Sequence, residues 1–278
     1  MERTFFVNND FLPESQALLS VKDIGLLRGF AIFDFFRTVN HRPLMMVPYL
    51  RRFIRSAQLM ELPLDYTEEQ LAVFITRLIN ENSHLREAGI RLILTGGYSE
   101  NAFLPTAPNF AILVEPVKLP PKEWYQNGIR LITHAYQREF SEIKTTNYLT
   151  AVKMAAACQK VGAVDVMYHH QGELREVSRS NVFVVKDGVI STPAAHILMG
   201  ITRQKVIELA KPHYLVEERP VLMKEVFEAD ELFMTGTTKR VLPVVQVDER
   251  RINTKMPGPV TRHLLQLFTQ FEQEHTGS

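Results

Sequence analysis

Lys144 stands in FSEIKTTNYL, Phe140–Leu149, a primary amine at the edge of an apolar segment with the phenol of Tyr148 four residues on. A lysine in such a place is ordinarily a solvated charge; desolvated, its amine becomes a nucleophile toward carbonyl carbon. Three other features of the second half of the chain bear on the choice. Glu176 lies in GELREVSRSN, after a turn and before a strand. In LMGITRQKV, Leu198–Val206, Gly200 precedes Ile201, Thr202 and a helix. In TGTTKRVLPV, Thr235–Val244, small and hydroxyl residues directly follow a strand.

The last two features suit an anion, most naturally a phosphate. The first N–H groups of a helix are unpaired and point outward, where the helix dipole adds partial positive charge. Gly200 lets the backbone come close, and Thr202 with Thr237 or Thr238 adds hydroxyl donors. Gly-Ile-Thr-Arg by itself fits an ordinary helix cap equally well. An amine, a carboxylate and a phosphate cradle have one economical joint use. Lys144 forms a Schiff base with an aldehyde, Glu176 pairs with a pyridinium nitrogen, and the cradle holds a phosphate: the cofactor is pyridoxal 5'-phosphate.

The elements that must position these groups are legible from pattern. Ala31–Val39 (AIFDFFRTV) is rich in aromatic and β-branched residues and reads as a buried strand. After Pro48, apolar residues at Leu50, Phe53, Ile54, Ala57 and Leu59–Met60 have helical spacing. Thr67 caps a helix with Glu68 and Glu69 in its first turn and an apolar face from Leu71 to Ile79. Gly89–Gly96 and Asn109–Val114 form a strand pair joined by a long loop. VKLPPKEWYQNG, Val117–Gly128, marks a break. The expected organisation is a small N-terminal α/β domain at 1–118, a linker at 119–128, and a large C-terminal α/β domain at 129–278 carrying Lys144. In the second region strands are expected at Ile129–Ala135, Ala163–His169, Asn181–Val185 and Glu231–Met234. Helices are expected at Leu149–Val161, stopped by Gly162, at Thr202–Ala210, and from Val260.

Composition narrows the class. The 278 residues are 45% hydrophobic and 23% charged, as in a soluble enzyme, and the formal net charge of +1 offers no handle for nucleic acid or an anionic membrane. No run approaches the roughly 20 apolar residues of a membrane span, and the first residues lack the apolar core of a signal peptide. The single cysteine, Cys158, excludes an internal disulfide and a multi-cysteine zinc cluster and suits a reducing cytoplasm. His169 and His170 are adjacent in a strand and face opposite ways, so no metal site is read there.

Lys144-Thr-Thr-Asn147-Tyr148, then EVSRSNVFVVKDGVISTP, LMGITR and ELFMTGTTKRVLPV, resemble in order the class IV aminotransferases, the D-amino-acid and branched-chain enzymes. DIGLLRGFAIFDFFRT, Asp23–Thr38, is similar to that family's opening strand, and YLRRFIRSA, Tyr49–Ala57, to its helix with a phosphate-binding arginine, although Tyr49 stands where the family usually has histidine. The resemblance runs from about Asp23 to Phe268. It implies a fold-type IV, two-domain α/β enzyme with the cofactor in the interdomain cleft, acting as a homodimer on amino acids and 2-oxo acids. It also implies roles: Lys144 forms the covalent link and shuttles the proton, Glu176 pairs with the ring nitrogen, and Tyr148 neighbours the ring hydroxyl. Gly200, Ile201, Thr202, Thr237 and Thr238 match the phosphate loops. Arg52 matches the phosphate-binding arginine, while a solvated helix charge suits Arg51 and Arg55 better.

Substrate is read from what departs from the family. The Arg-x-His pair of its D-amino-acid enzymes corresponds here to Asn101 and Phe103, and the FEGIRAY-like pattern of its branched-chain enzymes is FDFFRT, which leaves Phe33 facing substrate. Arg28, in a loop that in this family reaches the partner's site, and Arg91, in the strand GIRLIL, form a replacement carboxylate trap with Arg179 nearby. A structural ion pair is the other reading of each. On this basis the expected donors are D-amino acids such as D-glutamate and D-alanine, with 2-oxoglutarate or pyruvate as acceptors. A branched-chain L-aminotransferase, a 4-amino-4-deoxychorismate lyase and an (R)-amine transaminase are the alternatives on the same scaffold. Intact Lys144 and Glu176 speak against a non-catalytic dimeric binding protein.

Overall fold

In the computed structural model, which describes residues 1–252 and 257–276, the chain divides into two units. The first is Met1–Lys118 with Ile143–Asn147 and the chain end from His275; the second is Leu119–Glu142 with Tyr148–Glu274. Positions 253–256 and 277–278 of the expected C-terminal region lie outside the described residues. The segment carrying Lys144 thus belongs to the first unit, where the sequence reading assigned it to the second. The cause is backbone pairing with a distant strand: Phe33 N donates to Lys144 O at 2.9 Å and Thr146 N to Ala31 O at 3.0 Å.

The first unit is built on a six-stranded sheet whose strand pairs are all antiparallel. Its strands are β1 (Thr4–Val7), β2 (Asp10–Pro13), β3 (Ala31–Val39), β4 (Arg42–Pro43), β5 (Ala88–Thr95) and β6 (Phe110–Pro116), ordered β2-β1-β6-β5-β3-β4. Helix α1 (Ile24–Leu27) is a single turn; α2 (Met46–Leu59) packs on β3, and α3 (Glu68–Glu81) on β1 and β6. Thr67 caps α3 as its sequence predicts, in a reciprocal box: Gln70 N donates to Thr67 Oγ1 at 3.2 Å and Thr67 N to Gln70 Oε1 at 2.9 Å. The two faces of β3 differ. Ile32, Asp34 and Phe36 are fully buried on the side of α2, while Phe33 and Phe35 on the other side are half-buried.

The second unit holds a nine-stranded mixed sheet. Chain order gives α4 (Lys122–Asn127), β7 (Ile129–Ala135), α5 (Leu149–Lys160), β8 (Asp165–His170), β9 (Glu173–Val177), β10 (Asn181–Lys186) and β11 (Val189–Thr192). There follow α6 (Ile201–Ala210), β12 (Val216–Glu218), α7 (Met223–Phe227), β13 (Glu231–Gly236), β14 (Arg240–Val247), β15 (Arg250–Arg251) and α8 (Pro259–Thr276). The strand order is β12-β11-β10-β13-β14-β7-β8-β9, with β15 beside β14. Its core includes Leu131, Met167, Val177, Val182, Met234 and Leu242. Part of the expected linker is helical: α4 ends at Gly128, whose φ of 74° permits the turn into β7. Strand β9, which carries Glu176, escapes the sequence reading because ELREV is mostly polar, yet its last four residues are buried.

Candidate active site

In the first unit three expected site residues come together. Lys144 Nζ lies 4.4 Å from the centroid of the Phe33 ring, and the Arg91 guanidinium lies 5.5 Å from that ring and 5.1 Å from Phe35. The register explains it: Arg91 is directly opposite Phe35, and Phe33 shares that face two residues away. A ring face attracts a cation, so Phe33 is both a wall and an electrostatic seat for the amine. Arg91 is also an ion-pair partner. Its Nε and Nη2 donate to Glu115 at 3.0 and 2.8 Å, with both side chains about one-third exposed.

Arg52 is not the solvated charge its neighbour is. Arg51 is 71% exposed, whereas Arg52 is 12% exposed and donates side-on to Asp34, Nε at 2.9 Å and Nη2 at 2.7 Å. Asp34 occupies the α2 face of β3, opposite to Phe33. Tyr49, at the usual histidine position, is buried against Phe36 with ring centroids 5.6 Å apart. Arg28 is exposed, donates to Leu27 O at 3.0 Å and stacks over Phe103 at 5.0 Å. Its loop is tied down by buried Asp23, which accepts from Gly25 N at 2.6 Å and from Thr95 Oγ1 and Asn109 Nδ2, each at 2.7 Å. Asn101 caps its own turn, accepting from Phe103 N at 3.0 Å and Leu104 N at 2.9 Å.

In the second unit Glu176 is buried and held from two sides. Arg138 Nε donates to its Oε1 at 2.7 Å, and Leu198 N donates to its Oε2 at 3.0 Å. Arg138 also donates to Ser141 O, bracing the segment that leads to Lys144. Arg138 is the functional candidate that sequence reasoning missed; an isolated arginine in YQREF carries no local signal of its distant carboxylate partner. Tyr148 and Arg179 line one cavity of about 620 Å³, together with Asp165, Ser178 and α5. Arg179 is 60% exposed and reaches Asp165 at 3.5 Å. Burial, aided by the negative charge of Asp165, pushes the nearby Tyr168 phenol well above its ordinary range and keeps it protonated.

The phosphate elements fit their expected use. Gly200 is the N-cap of α6, and no side chain caps the first turn, which is formed by Ile201, Thr202 and Arg203. A Cβ at position 200 would sit 2.1 Å from Asn181 Oδ1, so a larger residue would have to displace a side chain that donates to Leu198 O. Arg203 anchors the turn from inside, donating to Pro193 O at 2.9 Å and pairing with Glu218 at 3.0 Å. Thr237 and Thr238 form the turn after β13, and the buried hydroxyl of Thr235 just before them has no hydrogen-bond partner. An open helix start and an orphan hydroxyl suit a bound phosphate.

The family described as amino-transferase class IV matches residues 31–247. This chain belongs to it. The class IV aminotransferases are pyridoxal-phosphate enzymes, and the cofactor, the fold-type IV architecture and the transaminase class read from the sequence all stand. Among curated relatives, a D-alanine aminotransferase of Staphylococcus epidermidis is 30% identical over 278 residues, covering 98% of each chain. A provisionally named branched-chain-amino-acid aminotransferase of Methanocaldococcus jannaschii is 32% identical over 273 residues, covering 95% of this chain and 94% of that protein. A solved T.th. branched-chain amino acid aminotransferase with pyridoxamine 5'-phosphate superposes with a TM-score of 0.91 at 26% identity, covering 99% of this chain and 95% of that one. Among the described residues of this class IV aminotransferase no helix is long and apolar enough to cross a membrane.

Proposed function

We propose that this aminotransferase acts on D-amino acids, moving the amino group of D-glutamate or D-alanine to 2-oxoglutarate or pyruvate. The observation that carries the reading is the guanidinium of Arg91 on the same sheet face as Lys144 and Phe33. Cα–H must stand perpendicular to the cofactor ring and face the lysine, so the position of the carboxylate-binding cation selects the enantiomer. Glu115 occupies Nε and Nη2 of Arg91, and the reading assigns Nη1 to the substrate carboxylate.

Bound pyridoxal phosphate supplies an electrophilic aldehyde and a ring that withdraws electrons from substrate Cα. Lys144 Nζ would bond the aldehyde carbon and, once the substrate amine took its place, would accept the Cα proton as general base and deliver it as general acid to that former aldehyde carbon. Glu176, positioned by Arg138 and Leu198 N, holds a proton at the ring nitrogen. Tyr148 would lie beside the ring hydroxyl. The amides of Ile201 and Thr202 and the hydroxyls of Thr202, Thr237 and Thr238 bind phosphate, with Arg52 as the added cation in an orientation set by Asp34. Leu18, Val21, Leu26, Phe103 and Leu104 expose apolar side chains on the first unit, and the Arg28 guanidinium lies over the Phe103 ring. They support a homodimer in which Arg28 serves the partner's site, since soluble monomers rarely expose so many together.

The aromatic face of Phe33 and Phe35, with the branched-chain relatives, favours a branched-chain L-aminotransferase as the second reading. The two part in a half-reaction without acceptor. D-Glutamate and D-alanine should shift the cofactor absorbance of the purified enzyme and L-leucine should not; a shift with L-leucine alone overturns the proposal. Borohydride treatment should leave the cofactor mass on the peptide containing Lys144, which tests the lysine whatever the enantiomer.

A further inference from the structure

Asp165 is 5% exposed and unevenly satisfied. Its Oδ1 accepts from Val166 N at 2.8 Å and from the Ser178 hydroxyl, whereas Oδ2 is buried and accepts no hydrogen bond. Two cations belong to its surroundings. Arg179 approaches Oδ2 at 3.5 Å, beyond good hydrogen-bond length, and stays 60% exposed in the cavity it shares with Tyr148. Lys239, on the turn after β13, is 9% exposed and donates its Nζ to Ser180 Oγ at 3.2 Å, next in sequence to Arg179. Its backbone is fixed by Lys239 N donating to Gly236 O at 3.0 Å and by Tyr125 Oη donating to Lys239 O at 3.1 Å. The cluster therefore holds one carboxylate and two cations.

We propose that Lys239 is a specificity-determining positioning residue, the internal counter-cation of Asp165 that keeps Arg179 available to a substrate carboxylate. A buried carboxylate with an unused oxygen captures the nearest guanidinium in a two-point pair, because the alternative is a desolvated charge without a partner. With the ammonium supplying the compensation from inside, Arg179 is held loosely and its excess charge faces the cavity. The charge of Asp165 in turn raises the proton affinity of Lys239 and that of Arg179 lowers it, so both are felt at the ammonium; desolvation outweighs them and leaves Lys239 at about 8.

The inference rests on the sequence reading that sets Arg179 near the Arg28–Arg91 carboxylate trap as a further substrate-binding residue, and its test is independent of enantiomer. The holoenzyme is assayed with whichever enantiomer of glutamate it turns over, and unreactive glutarate is titrated by thermal shift. Lys239→Met, and Lys239→Gln, which keeps a donor for Ser180, should each raise the KM for glutamate about 10-fold, the worth of a charged hydrogen bond, with kcat within about 3-fold. Both should abolish the glutarate shift. Adding Asp165→Asn to either should restore KM and shift, because the captor is gone; a merely structural role for Lys239 would not be rescued this way. An unchanged glutamate KM in a folded Lys239 variant, or a rise that Asp165→Asn fails to reverse, overturns the proposal. Turnover of L-glutamate alone would sink the D-amino-acid reading and leave this comparison intact.

Discussion

Each unit contains an arginine closed on a buried carboxylate, and the two pairs are made differently. Arg52 spends Nε and Nη2 on the two oxygens of Asp34, so helix α2 is clamped to strand β3 and the carboxylate serves only that clamp and the next backbone amide, Phe35 N at 2.7 Å. Arg138 gives Nε to one oxygen of Glu176 and another nitrogen to Ser141 O, while the second oxygen of Glu176 takes Leu198 N. The first pair joins two neighbouring elements of one core. The second draws two other segments, around Arg138 and Leu198, onto a carboxylate of β9. Holding a side chain from several directions fixes its position rather than the fold, and the role proposed for Glu176 at a ring nitrogen needs that.

The comparison breaks if the two carboxylates respond alike. Asp34→Ala strands a buried guanidinium and should cost about 3–5 kcal/mol of stability, with a smaller loss of kcat in the fraction that folds; denaturant titration beside assay checks it. Glu176→Gln should do the reverse. It keeps shape and one of the two accepted hydrogen bonds but loses the charge, so kcat should fall about 100-fold, the lower range for removal of an acid–base group, with a smaller loss of stability than Asp34→Ala. A third buried charge sharpens the contrast, because Lys239 donates to a hydroxyl rather than to a carboxylate. Its pKa lies near 8 in the fold against 10.5 for an ordinary lysine, so between these values the unfolded chain binds more protons and stability gains as pH rises. The cost is complete below pH 8. Melting temperatures of Lys239→Gln relative to the parent should therefore be most favourable at pH 7 and lose that advantage by pH 10.

Much of this was legible in one dimension. The aromatic and β-branched run at Ala31–Val39 is β3 to the residue, and the Thr67 box opens α3 where expected. That Arg52, unlike Arg51, is not a solvated charge was legible too, from the resemblance and from helical periodicity. It lies three residues after buried Tyr49 and four before buried Ser56, whereas Arg51 falls outside that stripe. Arg138 was not legible, because its meaning is a partner 38 residues away. Nor was the unit to which Lys144 belongs: the sequence around it is continuous with the second region, and only pairing with β3 assigns it to the first.

The amino-acid sequence by itself determined many of the local elements, the candidate lysine, glutamate and phosphate-loop residues, and through their order the family, since these depend on side-chain type and short-range spacing. Tertiary structure decided the company each charge keeps: Lys144 with Phe33 and Arg91, Arg138 with Glu176, Lys239 near Asp165. Strand pairing and burial join residues tens of positions apart, and in a low-dielectric interior a charge takes its chemistry from those neighbours.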